Sequence, residues 1–66
     1  MGEKFTLIEN NTLFEFEYDE NRFIYLLNYE LKDSKINHNK KKTQFKNIES
    51  AKISAREMLY EMGIIN

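Results

Sequence analysis

Residues 5–18 read Phe5-Thr6-Leu7-Ile8-Glu9-Asn10-Asn11-Thr12-Leu13-Phe14-Glu15-Phe16-Glu17-Tyr18. On either side of the asparagine pair, large apolar residues recur at every second position: Phe5 and Leu7 before it, Phe14, Phe16 and Tyr18 after it. Period two is the mark of a half-buried strand. Asparagine tolerates the positive φ of a two-residue hairpin turn, so the stretch folds on itself at Asn10-Asn11. That turn sets Leu7 opposite Phe14, Phe5 opposite Phe16 and Lys4 opposite Glu17. A slip of one residue would move every side chain to the other face, so the register is strongly specified.

The pattern continues downstream through Phe23-Ile24-Tyr25-Leu26-Leu27-Asn28-Tyr29-Glu30-Leu31. A second two-residue turn at Glu20-Asn21 would set Tyr18 opposite Phe23, Phe16 opposite Tyr25 and Phe14 opposite Leu27. One face then collects Phe5, Leu7, Phe14, Phe16, Tyr18, Phe23, Tyr25, Leu27, Tyr29 and Leu31. The other carries Lys4, Thr6, Ile8, Leu13, Glu15, Glu17, Ile24, Leu26, Asn28 and Glu30. Phe23, Ile24, Leu27 and Leu31 also fit helical spacing over 20–32, but aromatics at 23, 25 and 29 favour a strand. The polar, lysine-rich stretch 33–42 holds a turn at Asn37-His38-Asn39. Thr43-Gln44-Phe45-Lys46 then follows as a short edge strand with Phe45 opposite Leu31, its lysines guarding the edge against aggregation.

A helix is expected over about 48–62. Asn47 is a suitable cap and Glu49 sits in the first turn, where the helix dipole favours an acid. Ile48, Ala51, Ala55, Met58, Leu59 and Met62 line one stripe. Gly63 stops the helix, and Ile64-Ile65 can fold back on the core. The expected fold is therefore α+β in one small domain, 1–66. It is a three- or four-stranded antiparallel meander, strands about 3–9, 12–18, 22–32 and 43–46, with one C-terminal helix packed on its aromatic face.

Sixty-six residues lie near the lower limit for folding without staples, and the nine Phe and Tyr supply the area such a short core needs. With no cysteine there is no disulfide framework or thiolate site, and the lone His38 excludes multi-histidine metal sites. The start, Met1-Gly2-Glu3-Lys4, has neither the charged nor the apolar region of a signal peptide. No apolar run approaches the roughly 18–20 residues of a membrane span. A cytoplasmic chain with no membrane partner is expected. Residues 1–33 hold eight acids against three bases, and 34–66 seven bases against three acids, so charge is split along the chain.

Enzymatic chemistry is not expected. The two glycines, Gly2 and Gly63, form no phosphate-binding loop, and no serine has a histidine partner at a recognisable signature. Glu15 and Glu17, near Glu30, read as the solvated side of an alternating strand rather than an acid–base pair. No cofactor or metal is expected, and His38 reads as surface. Two groups remain for protein contact. On the helix, Ile53, Arg56 and Tyr60 share the side away from the stripe, and an aliphatic, an arginine and a tyrosine together have the composition of an interface hot spot. On the outer sheet face, Ile8, Leu13, Ile24 and Leu26 form an apolar centre rimmed by Glu15, Glu17 and Glu30. Lys35, Lys40, Lys41, Lys42 and Lys46, with Lys52 on the helix, form the alternative: a basic loop for nucleic-acid backbones, lacking interleaved aromatics to stack bases.

The run Phe45-Lys46-Asn47-Ile48-Glu49-Ser50-Ala51-Lys52-Ile53-Ser54-Ala55 resembles the strand-to-helix junction of small sheet-plus-helix DNA-binding domains, those of certain plant transcription factors and the arm-binding domains of phage integrases. The resemblance covers eleven residues and implies the same fold. In those families the exposed sheet face is basic, whereas here it carries Glu15, Glu17 and Glu30. The leading expectation is thus a binding protein acting on an unidentified protein partner, as an accessory or inhibitory factor of the phage or mobile-element type. Nucleic-acid binding through the 35–46 lysines is the alternative, and a structural homodimer joined by the outer face or an edge strand is a third.

Overall fold

The computed structural model describes residues 3–31, 34–37 and 44–64. Thus Lys32, Asp33, the turn at His38, Lys40, Lys41 and Lys42, Thr43 and Ile65 lie outside the described residues. In chain order the elements are β1 (Lys4–Glu9), β2 (Thr12–Tyr18), β3 (Ile24–Leu31), β4 (Ser34–Asn37), β5 (Gln44–Phe45) and α1 (Ile48–Glu61). The strands make one antiparallel sheet in the order β1-β2-β3-β4, with β5 also paired to β3. The helix packs on one face and the aromatic cluster lies between.

The first hairpin is the one the alternation requires. Asn10 and Asn11 both have positive φ, 49° and 61°, and Leu7 pairs with Phe14, Phe5 with Phe16 and Lys4 with Glu17. The second turn differs. Three residues, Glu20-Asn21-Arg22, separate the hydrogen-bonded Asp19 and Phe23. Asp19 causes this: its Oδ1 accepts the backbone N–H of Asn21 at 2.8 Å and of Phe23 at 3.0 Å, an Asx turn that outcompetes the shorter loop. Arg22 closes the turn at φ 68°, with its guanidinium 4.3 Å from the centre of the Tyr18 ring.

The longer turn moves β3 by one residue, so Tyr18 pairs with Ile24 and Phe16 with Leu26. A bulge then moves it by one more. Leu27 is the extra residue, and Glu15 pairs with Asn28 and Phe14 with Tyr29. The expected sides of Tyr29 and Leu31 are therefore kept, while those of residues 23–27 are exchanged. Ile24 and Leu26 are completely buried in the core instead of lying on the outer face, and Phe23, Tyr25 and Leu27 are only half-buried. The exchange keeps the Tyr25 phenol out of the interior, where it would be costly without a partner. Outside, the Tyr25 hydroxyl accepts a hydrogen bond from Gln44 Nε2 at 3.1 Å, whereas Ile24 and Leu26 bring no polar atom into the interior.

The last strands also depart from expectation. Ser34–Asn37 forms β4 on the second half of β3, with Leu31 opposite Ser34. Residues 44–45 form β5 on the first half of the same edge, so Phe45 lies opposite Ile24 and not Leu31. Phe45 still joins the aromatic side, its ring edge-on to Phe16 at 6.2 Å.

Asn47 caps α1, its Oδ1 accepting the Ser50 N–H at 2.8 Å. At the other end Gly63 has φ 76° and donates to the Tyr60 carbonyl, while Ile64 donates to that of Leu59. This is the Schellman arrangement. Ala51, Ala55 and Leu59 are buried against Phe14, Phe16, Ile24 and Leu26, and the two alanines let the helix backbone approach the bulky sheet. Ile48 and Met62 point along the expected stripe but overhang the core at the two ends, and both are exposed.

The bulge gives a direct test of register. Leu26→Ala should lower the unfolding free energy by about 2–5 kcal/mol in urea titration, and Leu27→Ala by clearly less; equal losses would contradict the pairing. Asn47→Ala should cost about 0.5–2 kcal/mol through the cap, whereas Asn11→Gly, at a positive φ, should leave stability unchanged or slightly raised.

Candidate functional site

Register places the candidates on three surfaces. The sheet face turned away from the helix is laid out in rows. Lys4, Glu17, Tyr25 and Gln44 make one, Thr6, Glu15, Asn28 and Asn37 the next, and Ile8, Leu13, Glu30 and Lys35 the last. With Ile24 and Leu26 in the core, the expected apolar centre of this face is corrected to one cross-strand pair at a corner, Ile8 and Leu13. The acids are countered locally. Glu15 Oε1 accepts from Asn28 Nδ2 at 2.7 Å, Lys4 pairs across from Glu17, and Lys35 across from Glu30. The face is a mixed polar surface in which each of these acids has an amide or a lysine at the neighbouring register position, not an acidic patch.

The second surface is the helix flank. Ile53 and Tyr60 are 52% and 63% exposed, as their spacing of seven implies. Arg56 lies beside them, but it is not a free hot-spot residue. Its Nε donates to Glu9 Oε1 at 2.9 Å, a bond spanning 47 positions of sequence that joins α1 to the end of β1. Hydrogen bonding to Glu9, and next its charge, holds the Arg56 guanidinium above its ordinary pKa. A raised basic pKa favours the folded state at every pH below the unfolded value and is lost only in strong alkali.

This ion pair turns the Arg56 side of α1 toward β1, the open edge of the sheet, while Ile53 and Tyr60 lie farther round the helix, away from its buried side. Tyr18 N–H donates to the Glu3 carbonyl, which makes 3/18 a hydrogen-bonded pair. The odd residues of β1 therefore turn their backbone groups to β2, and Lys4, Thr6 and Ile8 turn theirs outward. Among the described residues nothing pairs with that edge. Ile8, 67% exposed, belongs to it. The edge was legible in principle, since a two-residue turn after Glu9 determines which N–H groups face β2; reading side-chain alternation alone overlooks it.

The lysines are not brought together as far as the structure describes them. Lys35 lies across from Glu30 near one end of β3, while Lys46 follows Phe45, which pairs with Ile24 at the other end. Six residues of strand, about 20 Å, separate those positions on β3. Among the described residues no group of three His, Asp or Glu side chains is arranged to hold a metal, and no helix is long and apolar enough to cross a membrane. A cleft of about 500 Å³ opens between the Asn10-Asn11 turn and the end of α1, with Leu31, Met62 and Ile64 as its apolar lining and Thr12 at its side. No protein-family model, no curated protein and no solved structure matches the chain.

Because Arg56, unlike the largely covered Glu9, stands in solvent, the Arg56–Glu9 bond is a positional tie more than a source of stability. Arg56→Gln should leave the far-ultraviolet spectrum unchanged and lower the urea midpoint only slightly, with the difference from the parent closing as salt rises. A large, salt-independent loss would mean that Arg56 does more than tether the helix flank.

Proposed function

We propose that this chain is a non-enzymatic binding protein that docks on another polypeptide through the side wall formed by the β1 edge and the β1-facing flank of α1. The observation that carries this reading is the β1 edge itself, whose outward N–H and C=O groups have no partner among the described residues, with Ile8, 67% exposed, on that strand and Arg56 of α1 bonded to Glu9 at its end. An open edge gives affinity through main-chain hydrogen bonds, and neighbouring apolar side chains add burial and choice of partner. Tyr60 contributes a large amphipathic contact at low entropic cost, as tyrosine commonly does in interfaces. The side wall is favoured over the outer sheet face because the expected apolar centre of that face, Ile24 and Leu26, has gone into the core. A small chain with such a wall is suited to covering, by strand addition, the edge of another chain.

The test compares the two surfaces. Ile53→Asp combined with Tyr60→Ala should abolish recovery of the partner in affinity capture, while Leu13→Lys combined with Glu15→Lys should leave it intact, both variants being folded by circular dichroism. The opposite result would move the binding site to the sheet face. Loss of neither would remove both.

A further inference from the structure

We infer that the wall is self-complementary and that its occupant is a second copy of this chain, paired β1 to β1 in antiparallel register about a two-fold axis at Thr6. This inference rests on the binding reading above and names its partner. Strand parity restricts the pairing. Only Lys4, Thr6 and Ile8 turn their backbone groups outward, so every hydrogen-bonded pair across the edge must be drawn from these three. A two-fold axis perpendicular to the sheet keeps the same face up in both copies, and directly opposed residues must then share a face. Centring the axis on Thr6 pairs Thr6 with Thr6 of the second copy and Lys4 with its Ile8, twice. All three outward residues are then used in both chains. Shifting the axis by one residue in either direction leaves one of the three without a partner.

Apart from Glu9, which comes opposite Glu3 of the second copy at each end, the side chains agree with that register. On the helix side Phe5 comes opposite Leu7 of the second copy, and Leu7 opposite its Phe5. Both residues are only half-buried in the single chain and already border the core. Phe5 stacks on Phe16 with ring centres 5.3 Å apart, and Phe14 on Tyr29 at 5.7 Å. Pairing at the edge would continue both aromatic rows across the axis. On the other side Lys4 lays its aliphatic stem beside Ile8 of the second copy, covering the most exposed apolar side chain described. No like charges meet on that side within the paired segment. Of the usual guards of an edge the strand has charge at its two ends only, Lys4 and Glu9; it has no proline and no bulge. The Arg56 side of each helix lies beside the same edge. A six-residue strand gives a wall only about 20 Å long, below the reach of a standard interface of about 800 Å² per partner. The pairing is therefore expected to depend on concentration.

The experiment uses the absence of native cysteine. In the proposed register the Cα atoms of the two Thr6 residues lie about 5.5 Å apart, within disulfide range. The two Ile8 residues are displaced by four positions, about 14 Å apart, and out of range. Under mild oxidation Thr6→Cys should cross-link to a dimer and Ile8→Cys should not. By light scattering the parent chain should pass from monomer to dimer mass as concentration rises toward about 1 mM. Thr6→Pro removes only an outward N–H, so it should fold and remain monomeric. Equal cross-linking of both cysteine variants, or none in either, overturns the register. A parent chain that is monomeric throughout overturns the dimer. If that chain still loses a captured protein through Ile53→Asp with Tyr60→Ala, the copy pairing fails while the binding reading stands.

Discussion

Burial of Phe14 and Phe16 on β2 is the contact on which the rest of the structure depends. Both rings are sealed between the sheet and the Ala51–Ala55–Leu59 side of α1. Each such side chain is worth roughly 1.5–3 kcal/mol on leaving water, a large share of what a chain this small can gain. Holding both on one face decides the parity of β2. Glu15 and Glu17 must then face outward, and β1, joined by a two-residue turn, must present Phe5 and Leu7 to the helix and the backbone groups of Lys4, Thr6 and Ile8 to its open edge. The core and the exposed edge follow from one constraint.

β3 satisfies the same constraint by a less direct route. A strictly alternating strand would have buried Tyr25 and left Ile24 outside. The Asx turn at Asp19 and the bulge at Leu27 each shift the pairing by one residue, and the two shifts have opposite effects along the strand. The first puts Ile24 and Leu26 inside, and the second restores Tyr29 and Leu31 to the helix side. A mixed pattern, with two adjacent leucines between two tyrosines, thus becomes consistent with one buried face. It also removes the apolar centre that simple alternation places on the outer surface, which is why the functional reading moves from the sheet face to its edge.

The helix links this edge to the rest of the molecule. Ile53, Arg56 and Tyr60 share one flank by spacing alone, but spacing does not say toward which end of the sheet the flank turns. The bond from Arg56 to Glu9 answers that. It ties residues far apart in sequence and sets the Arg56 side of the helix beside the end of β1.

The local sequence by itself determined the elements whose causes are short-range. The Asn10-Asn11 turn and its register, the Asn47 cap, the Gly63 stop and the buried Ala51–Ala55–Leu59 stripe all follow from a few adjacent residues and a fixed periodicity. The helix-packed antiparallel meander follows from them. Tertiary structure alone decided the pairing of β3, the placing of Ser34–Asn37 and Gln44–Phe45 on a single edge, and the direction of the helix flank. Each of these is a choice between nearly equivalent local options. A two- or three-residue turn, an outward or inward isoleucine, and a free or tethered arginine differ by small local energies. The choice falls to contacts between distant residues: a phenol that keeps its hydrogen bond outside, aliphatic side chains that fill the core, and a carboxylate at the end of β1 within reach of the helix.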